Sequence, residues 1–233
     1  MFRKGLQEIM NKLNDTAKKF NMKINVQKTK TITVTHRVGG RVNITIDGQS
    51  IEQVKCFKYL GSNITEDGRS LSDVKSRIAM AKDAFNKRKE LLTKGLSKRL
   101  KKRMVKVLIW PVVMYGCETW TLLEEEIDRL QALEMWIWRG LEKISWRDRV
   151  SNEDVLTRVD ERRSLMRIIW QRKKNWIGHV LRGDGLLKDV LEGRMLGKKR
   201  KGRPRTKMLE DLMEKPRPKR KKREEEESCY FSS

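Results

Sequence analysis

The spacing of hydrophobic positions changes twice along the chain. Between residue 1 and about residue 20, Leu6, Ile9, Met10, Leu13, Ala17 and Phe20 recur every three or four positions, which predicts a helix. In "NMKINVQKTKTITVTH" the period shortens to two. Ile32 and Val34 alternate with threonines, as on a pleated strand. "VGGR" (Val38 to Arg41) reads as a hairpin turn, and "VNITIDG" alternates again before the turn signal Asp47-Gly48. "IEQVKCFKYLGSNI" supplies further short strand material. The first 65 residues therefore predict a helix followed by an antiparallel β-meander.

From Glu66 the helical period returns. Leu71, Val74, Ile78, Ala81 and Phe85 form one stripe, with Ser72 or Asp73 as its cap. "SKRLKKRMVKVLIW" is basic on one face and apolar on the other until Pro111 interrupts it. Leu123, Ile127, Leu130, Leu133, Ile137, Leu141 and Ile144 make the most continuous seam. Glu124, Glu125 and Glu126 open that helix as solvated, dipole-favourable charge. "RRSLMRIIWQRKKNWIGHVLRG" predicts another helix, ending at Gly183. Near Lys198 the composition turns to "KKRKGRPRTK" and then "KPRPKRKKREEEESCYFSS", too poor in apolar residues to form a core. The pattern as a whole predicts an α+β chain: β-rich residues 1–65, a helical region 66–195 and a basic, disordered tail 196–233.

Charge narrows the partners. The 233 residues carry a net +24, so the simplest partner is a polyanion, meaning nucleic acid. The basic run from Lys94 to Lys106 puts Lys98, Arg99, Lys101, Lys102 and Arg103 around one helix. It reads either as a phosphate-backbone contact or as a solvated face. "GRPR" offers Arg203 and Arg205 to a narrow minor groove, or serves as a nuclear-localisation patch with Lys198 to Arg200. Hydrophobic residues at 37% and seven tryptophans exclude a merely disordered polycation. Most of the tryptophans fall on apolar stripes, where core packing competes with base stacking.

Other chemistry finds little support. Cys56, Cys117 and Cys229 are far apart and odd in number, which argues against a disulfide framework or a zinc site and for a reducing compartment. No Ser or Cys has a neighbouring His to activate it. Metal-dependent phosphoryl chemistry needs converging carboxylates, and the sequence contains no Asp-Asp pair. Glu66-Asp67, Glu153-Asp154 and Glu210-Asp211 sit in turn or helix contexts and read as surface acids. The most apolar stretch, "VLIWPVVMYG", has about half the length of a membrane span, and no signal peptide is evident. The expectation is a soluble protein of nucleus or cytoplasm with no membrane contact.

The order of segments carries a resemblance. "INVQKTK", "FKYLG", "YGCETW", "WIGHVLR" and "GRPR", from about residue 1 to 210, resemble the C-terminal part of reverse transcriptases encoded by non-LTR (LINE-like) retrotransposons. The resemblance implies the end of a palm, a thumb and a C-terminal extension. It further implies that the catalytic aspartates lie upstream of the helix at residues 1 to 20. It makes Lys28, with Lys30 beside it, a contact for the incoming nucleotide or pyrophosphate. The residues by themselves predict a buried strand with Phe57 and Leu60 packed inward, whereas the resemblance makes "FKYLGS" the primer grip. There Tyr59, Leu60 and Gly61 bring the backbone close to a primer terminus. Family members often carry Trp where this chain has Met208, and here the chain departs afterwards, as a truncated or frameshifted copy would. The expected partner is an RNA–DNA or DNA template-primer duplex. The parent enzyme would use Mg²⁺, whereas no cofactor and no catalytic residue is expected in this chain, which alone would be inactive. The alternative is a non-catalytic chromatin- or RNA-binding protein derived from such an element.

Overall fold

The computed structural model describes residues 2–34, 42–93 and 95–192. It is an α+β structure in two compact units, residues 1–175 and 176–233. The first helix, α1, runs Phe2–Lys19. It stops where Asn21 takes a left-handed φ of 54°, a conformation Asn tolerates, and the Met22 N–H caps the Ala17 carbonyl at 2.9 Å. Met10 packs on a small core of Ile44, Ile46 and Ile51. Beside it the Gln7 amide imitates a strand backbone, donating to Thr45 O at 2.8 Å and accepting from Thr45 N at 3.0 Å. Leu6, Ile9, Leu13 and Phe20 of the predicted stripe are exposed, and Ala17 is half-buried.

The strands are short and do not form a meander. β1 (Lys30–Thr31) pairs in parallel with β4 (Glu52–Gln53). β2 (Thr45–Ile46) and β3 (Gln49–Ser50) form a hairpin on the expected Asp47-Gly48 turn, whose φ angles are 48° and 78°. β5 (Cys56–Tyr59) and β6 (Ser62–Thr65) form a second hairpin. Each sheet has two strands. Alternation in sequence persists beyond the paired residues, but pairing needs a neighbour at matching register, and among the described residues only these short segments find one. The turn expected at Val38 to Arg41 lies outside the described residues.

The main core is helical. α2 (Leu71–Lys87) buries Val74, Ala81 and Phe85 against α6 (Glu124–Leu141), which contributes Leu130, Leu133, Ile137 and Leu141. The two helices approach closely at Gly140, where a Cβ would lie 2.9 Å from the Phe85 ring. Trp110 and Trp138 meet edge to face at 5.7 Å and Phe85 and Trp136 at 5.3 Å, so these aromatics are packing groups. A short helix, α3 (Lys89–Thr93), precedes α4 (Lys98–Met104).

Pro111 does not break the helix that follows α4. A π-helical turn, Val105–Ile109, widens the ladder, and the Trp110 N–H reaches Val105 O before α5 (Trp110–Val113) continues with the proline in its first turn. Proline removes one N–H and crowds the carbonyl four residues earlier, and the wider turn relieves both.

The starts of α6 and α8 are fixed by buried carboxylates and that of α7 by a hydroxyl. Glu126 is buried and accepts from Leu123 N at 2.8 Å, capping α6 from within, so it is not a solvated charge. α7 (Asn152–Val159) begins at Ser151, whose hydroxyl accepts from Asp154 N. α8 runs Leu165–Arg182 and stops before Gly183. Buried Glu134 on α6 accepts from Ser164 N at 2.8 Å and Leu165 N at 3.1 Å, bringing negative charge to the start of α8. The described part of the second unit holds the end of α8 and α9 (Leu186–Glu192).

Candidate nucleic-acid interface

Two sequence motifs about fifty residues apart meet in space. The β5–β6 hairpin carries "FKYLGS", and its two-residue turn is Leu60-Gly61, with φ of 47° and 86°. Positive φ at both turn positions matches the right-handed twist of the strands. Against this turn lies the segment after α5, "YGCETW", with Cys117–Thr119 as a single 3₁₀ turn. Tyr115 donates its hydroxyl to Leu60 O at 2.8 Å. Arg77 of α2 donates Nη2 to Gly61 O at 2.6 Å, and its guanidinium lies 4.3 Å from the centre of the Tyr115 ring. Gly116, at φ 73°, passes so close to β6 that a Cβ there would sit 3.0 Å from Ser62 Oγ.

The same surface is anchored below the turn. Asp73 of α2 is buried and accepts from Asn63 N at 3.0 Å and from Trp120 Nε1 at 2.9 Å. It is therefore not the cap of α2; the N-cap is Ser70, whose hydroxyl donates to Thr121 O at 3.0 Å. Lys173 of α8 is also buried and donates Nζ to Trp120 O at 2.7 Å. Sequence reasoning passed over Asp73, Arg77, Tyr115 and Lys173 as site-forming groups. For Asp73, Arg77 and Lys173 the signal was a charge standing on or beside an apolar stripe, and for Tyr115 its place in "YGCETW".

One face of the hairpin and its apex present apolar and aromatic side chains outward, while exposed Lys58 lies on the other face. Phe57 and Tyr59 occupy one face opposite Ile64 and Ser62. Tyr59 is 57% exposed and Leu60 75%, and Phe57 and Ile64 are also exposed, so Phe57 and Leu60 do not pack inward. The reason is the turn: Leu60 sits at its apex, and the body of the protein reaches the turn through its carbonyls and not its side chains.

The basic run of α4 divides into two sides. Lys98, Lys102 and Lys106 are engaged internally. Lys98 donates to Arg158 O at 3.0 Å and Lys102 to Asp160 O at 2.8 Å, which caps the C-terminus of α7. Lys106 pairs with Glu161 at 2.6 Å. Arg99 and Arg103, four residues apart, are exposed and bond to nothing among the described residues; half-buried Lys101 likewise has no such partner. A cavity of about 950 Å³ opens beside this contact. Its basic Lys106, Arg162, Arg163 and Arg167 are nearly matched by Glu153, Asp160 and Glu161, so it does not stand out as a polyanion site.

The lysines of the first region separate likewise. Lys30 pairs with Glu52 across β1 and β4. Lys28 is exposed, on a turn held by Asn25, whose side chain accepts from Lys28 N at 3.0 Å. Arg203 and Arg205 lie outside the described residues. Among the described residues no three His, Cys, Asp or Glu side chains converge. Among them too, no helix is long and apolar enough to cross a membrane.

No protein-family model matches the chain, and no solved structure does. Two curated proteins are distantly similar. An uncharacterized transposon-derived protein of Caenorhabditis elegans is 23% identical over 186 residues, covering 77% of this chain and 64% of that protein. The RNA-directed DNA polymerase from mobile element jockey of Drosophila melanogaster is 24% identical over 149 residues, covering 61% of this chain. The chain thus spans under two thirds of the worm protein and 16% of the jockey polymerase. Both likenesses support a retrotransposon-derived origin for this chain.

Proposed function

We propose that the chain is the template-primer-binding part of a non-LTR retrotransposon reverse transcriptase, comprising the end of the palm, a helical thumb and a basic extension. The observation that carries this reading is the meeting of "FKYLGS" and "YGCETW" at one exposed turn. In this reading the β5–β6 hairpin is the primer grip, and Tyr59 and Leu60 touch the end of the primer strand. Arg99 and Arg103 contact phosphates of the duplex from α4, and Lys28 lies toward the nucleotide side. In this reading the chain binds but does not polymerise, because RNA-templated synthesis needs converging carboxylates to hold two Mg²⁺ ions, and the sequence contains no Asp-Asp pair.

The test has two arms on the full chain. In fluorescence anisotropy, a fluorescein-labelled RNA–DNA primer-template should bind with an affinity that falls steeply as salt rises. In a primer-extension assay with Mg²⁺ and deoxynucleotides, no template-dependent product should form. Salt-independent binding removes the electrostatic basis of the reading, and extension by the pure chain removes the claim that it is non-catalytic. Tight binding to any polyanion without preference for a primer end favours the alternative, a non-catalytic binding protein derived from the same kind of element.

A further inference from the structure

Leu60 combines two local costs. It is a large apolar side chain left 75% exposed, and it holds a left-handed φ of 47° that favours Gly or Asn. Neither cost is repaid by burial of its own side chain within the fold. Yet the turn is held firmly, since two successive turn carbonyls, which ordinarily face water, both accept bonds from the helical body. Arg77 is only 7% exposed and stacks on Tyr115, so the donor of one bond supports the donor of the other. A strained, exposed residue fixed from behind by a buried arginine and the tyrosine stacked on it is a contact point held ready for a ligand.

We infer that Arg77 and Tyr115 are positioning residues that aim the Leu60-Gly61 turn at the terminal nucleoside of a nucleic-acid strand. The turn's carbonyls are occupied, and Leu60 at its apex with Tyr59 beside it is apolar and aromatic, whereas exposed Lys58 lies on the opposite face of β5; the apex therefore meets the sugar and base faces of that nucleoside and not its phosphates. Its contribution to binding is accordingly insensitive to salt, unlike that of the α4 arginines. This rests on the template-primer reading above and adds to it the residues that set the grip and the chemistry it uses.

The experiment compares two probes of equal length on the full chain: a duplex with a recessed 3′ end, and a dumbbell duplex with no strand ends. The readout is the ratio of the two affinities at low and at about 0.3 M salt, where phosphate contacts are weakened. The native chain should prefer the recessed end by a ratio that does not shrink with salt. Tyr115→Phe keeps the ring over Arg77 and removes one hydrogen bond at a half-exposed position. It should lower the ratio by about fivefold, the effect of one lost neutral hydrogen bond. Arg77→Lys, which loses the stacked fork, should lower it further.

A ratio unchanged in Tyr115→Phe, or an equal loss on both probes with the ratio kept, overturns the inference. Tyr115→Phe decides the matter even if the Arg77 variant does not fold. A native chain with no preference for the recessed end overturns the grip reading itself, and this inference with it. A preference present in the native chain and kept in Tyr115→Phe overturns this inference alone.

Discussion

Asp73 joins groups that are far apart in the chain. Its two oxygens tie the backbone of β6 to the indole of Trp120, so one buried carboxylate links the hairpin, α2 and the segment before α6. In sequence it reads as an acid in the first turn of a helix, a common and local role. Its partners lie ten and 47 residues away, and no local pattern announces them. The same is true of Glu134 and Lys173. Cys117 is different in kind: burial, and then the charge of Glu118, push its thiol up from 9.0 to about 11. The folded thiol keeps its proton over a range where the unfolded thiol has lost it. Stability should therefore be unaffected by this group below pH 9 and should fall as pH rises from 9 to about 11. The Cys117→Ser chain, melted alongside the native one, should lose that part of the alkaline limb. Iodoacetamide at pH 8 followed by peptide mass analysis should find exposed Cys56 modified and Cys117 untouched. Rapid alkylation of Cys117 in the folded chain contradicts its buried position.

At the scale of the element, α4 shows why a basic run cannot be read as one surface. Five charges within six residues, Lys98 to Arg103, must point in different directions around a helix. Lys98 and Lys102 point at the end of α7, where free carbonyls and the left-handed Asp160 attract them. Arg99 and Arg103 point to solvent. Two pairs of substitutions separate the roles. Lys98→Ala with Lys102→Ala should lower the melting temperature, by about 1 kcal/mol of stability for such partly exposed contacts. Arg99→Ala with Arg103→Ala should leave melting within the noise and flatten the log-log salt dependence of duplex binding by roughly 0.9 for each phosphate no longer neutralised. If the lysine pair alone flattened the salt dependence, the assignment of sides would be inverted. The helix periods of α2, α6 and α8 were legible because side-chain spacing directly records a buried face. The π turn before Pro111 was not, since a proline in a helical pattern signals disruption without saying how the ladder absorbs it. The strands were legible as alternation but not as a sheet, because pairing depends on segments distant in the chain.

For the whole molecule, periodicity says that a helix has an apolar face but not what covers it. α1 is the example, since Leu6, Ile9 and Leu13 are spaced as a core face and yet stay exposed. Net charge is legible from the sequence alone and acts on stability and binding with opposite signs. With 55 basic residues against 31 acidic ones, the folded chain repels itself. Many of its acids are engaged where they stand: Glu134 and Glu126 at helix starts, Asp73 under the hairpin, Glu161 and Asp160 against α4. The surplus positive charge has nothing inside the described fold to neutralise it. Raising sodium chloride from about 0.05 to 0.5 M contracts the screening length from roughly 14 to 4 Å and should therefore raise the melting midpoint by a few degrees. A polyanion achieves the same neutralisation by binding. An excess of duplex at low salt should raise the midpoint more than sodium chloride does, because it adds a binding free energy to the screening. That extra shift should vanish as salt displaces the duplex. The two melting curves, with and without duplex, should thus converge from different sides as salt increases. A midpoint that fell steadily with salt in the free chain would mean that the ion pairs of α4, α7 and the β strands outweigh the long-range repulsion, and that the surplus charge does not govern how stability responds to salt.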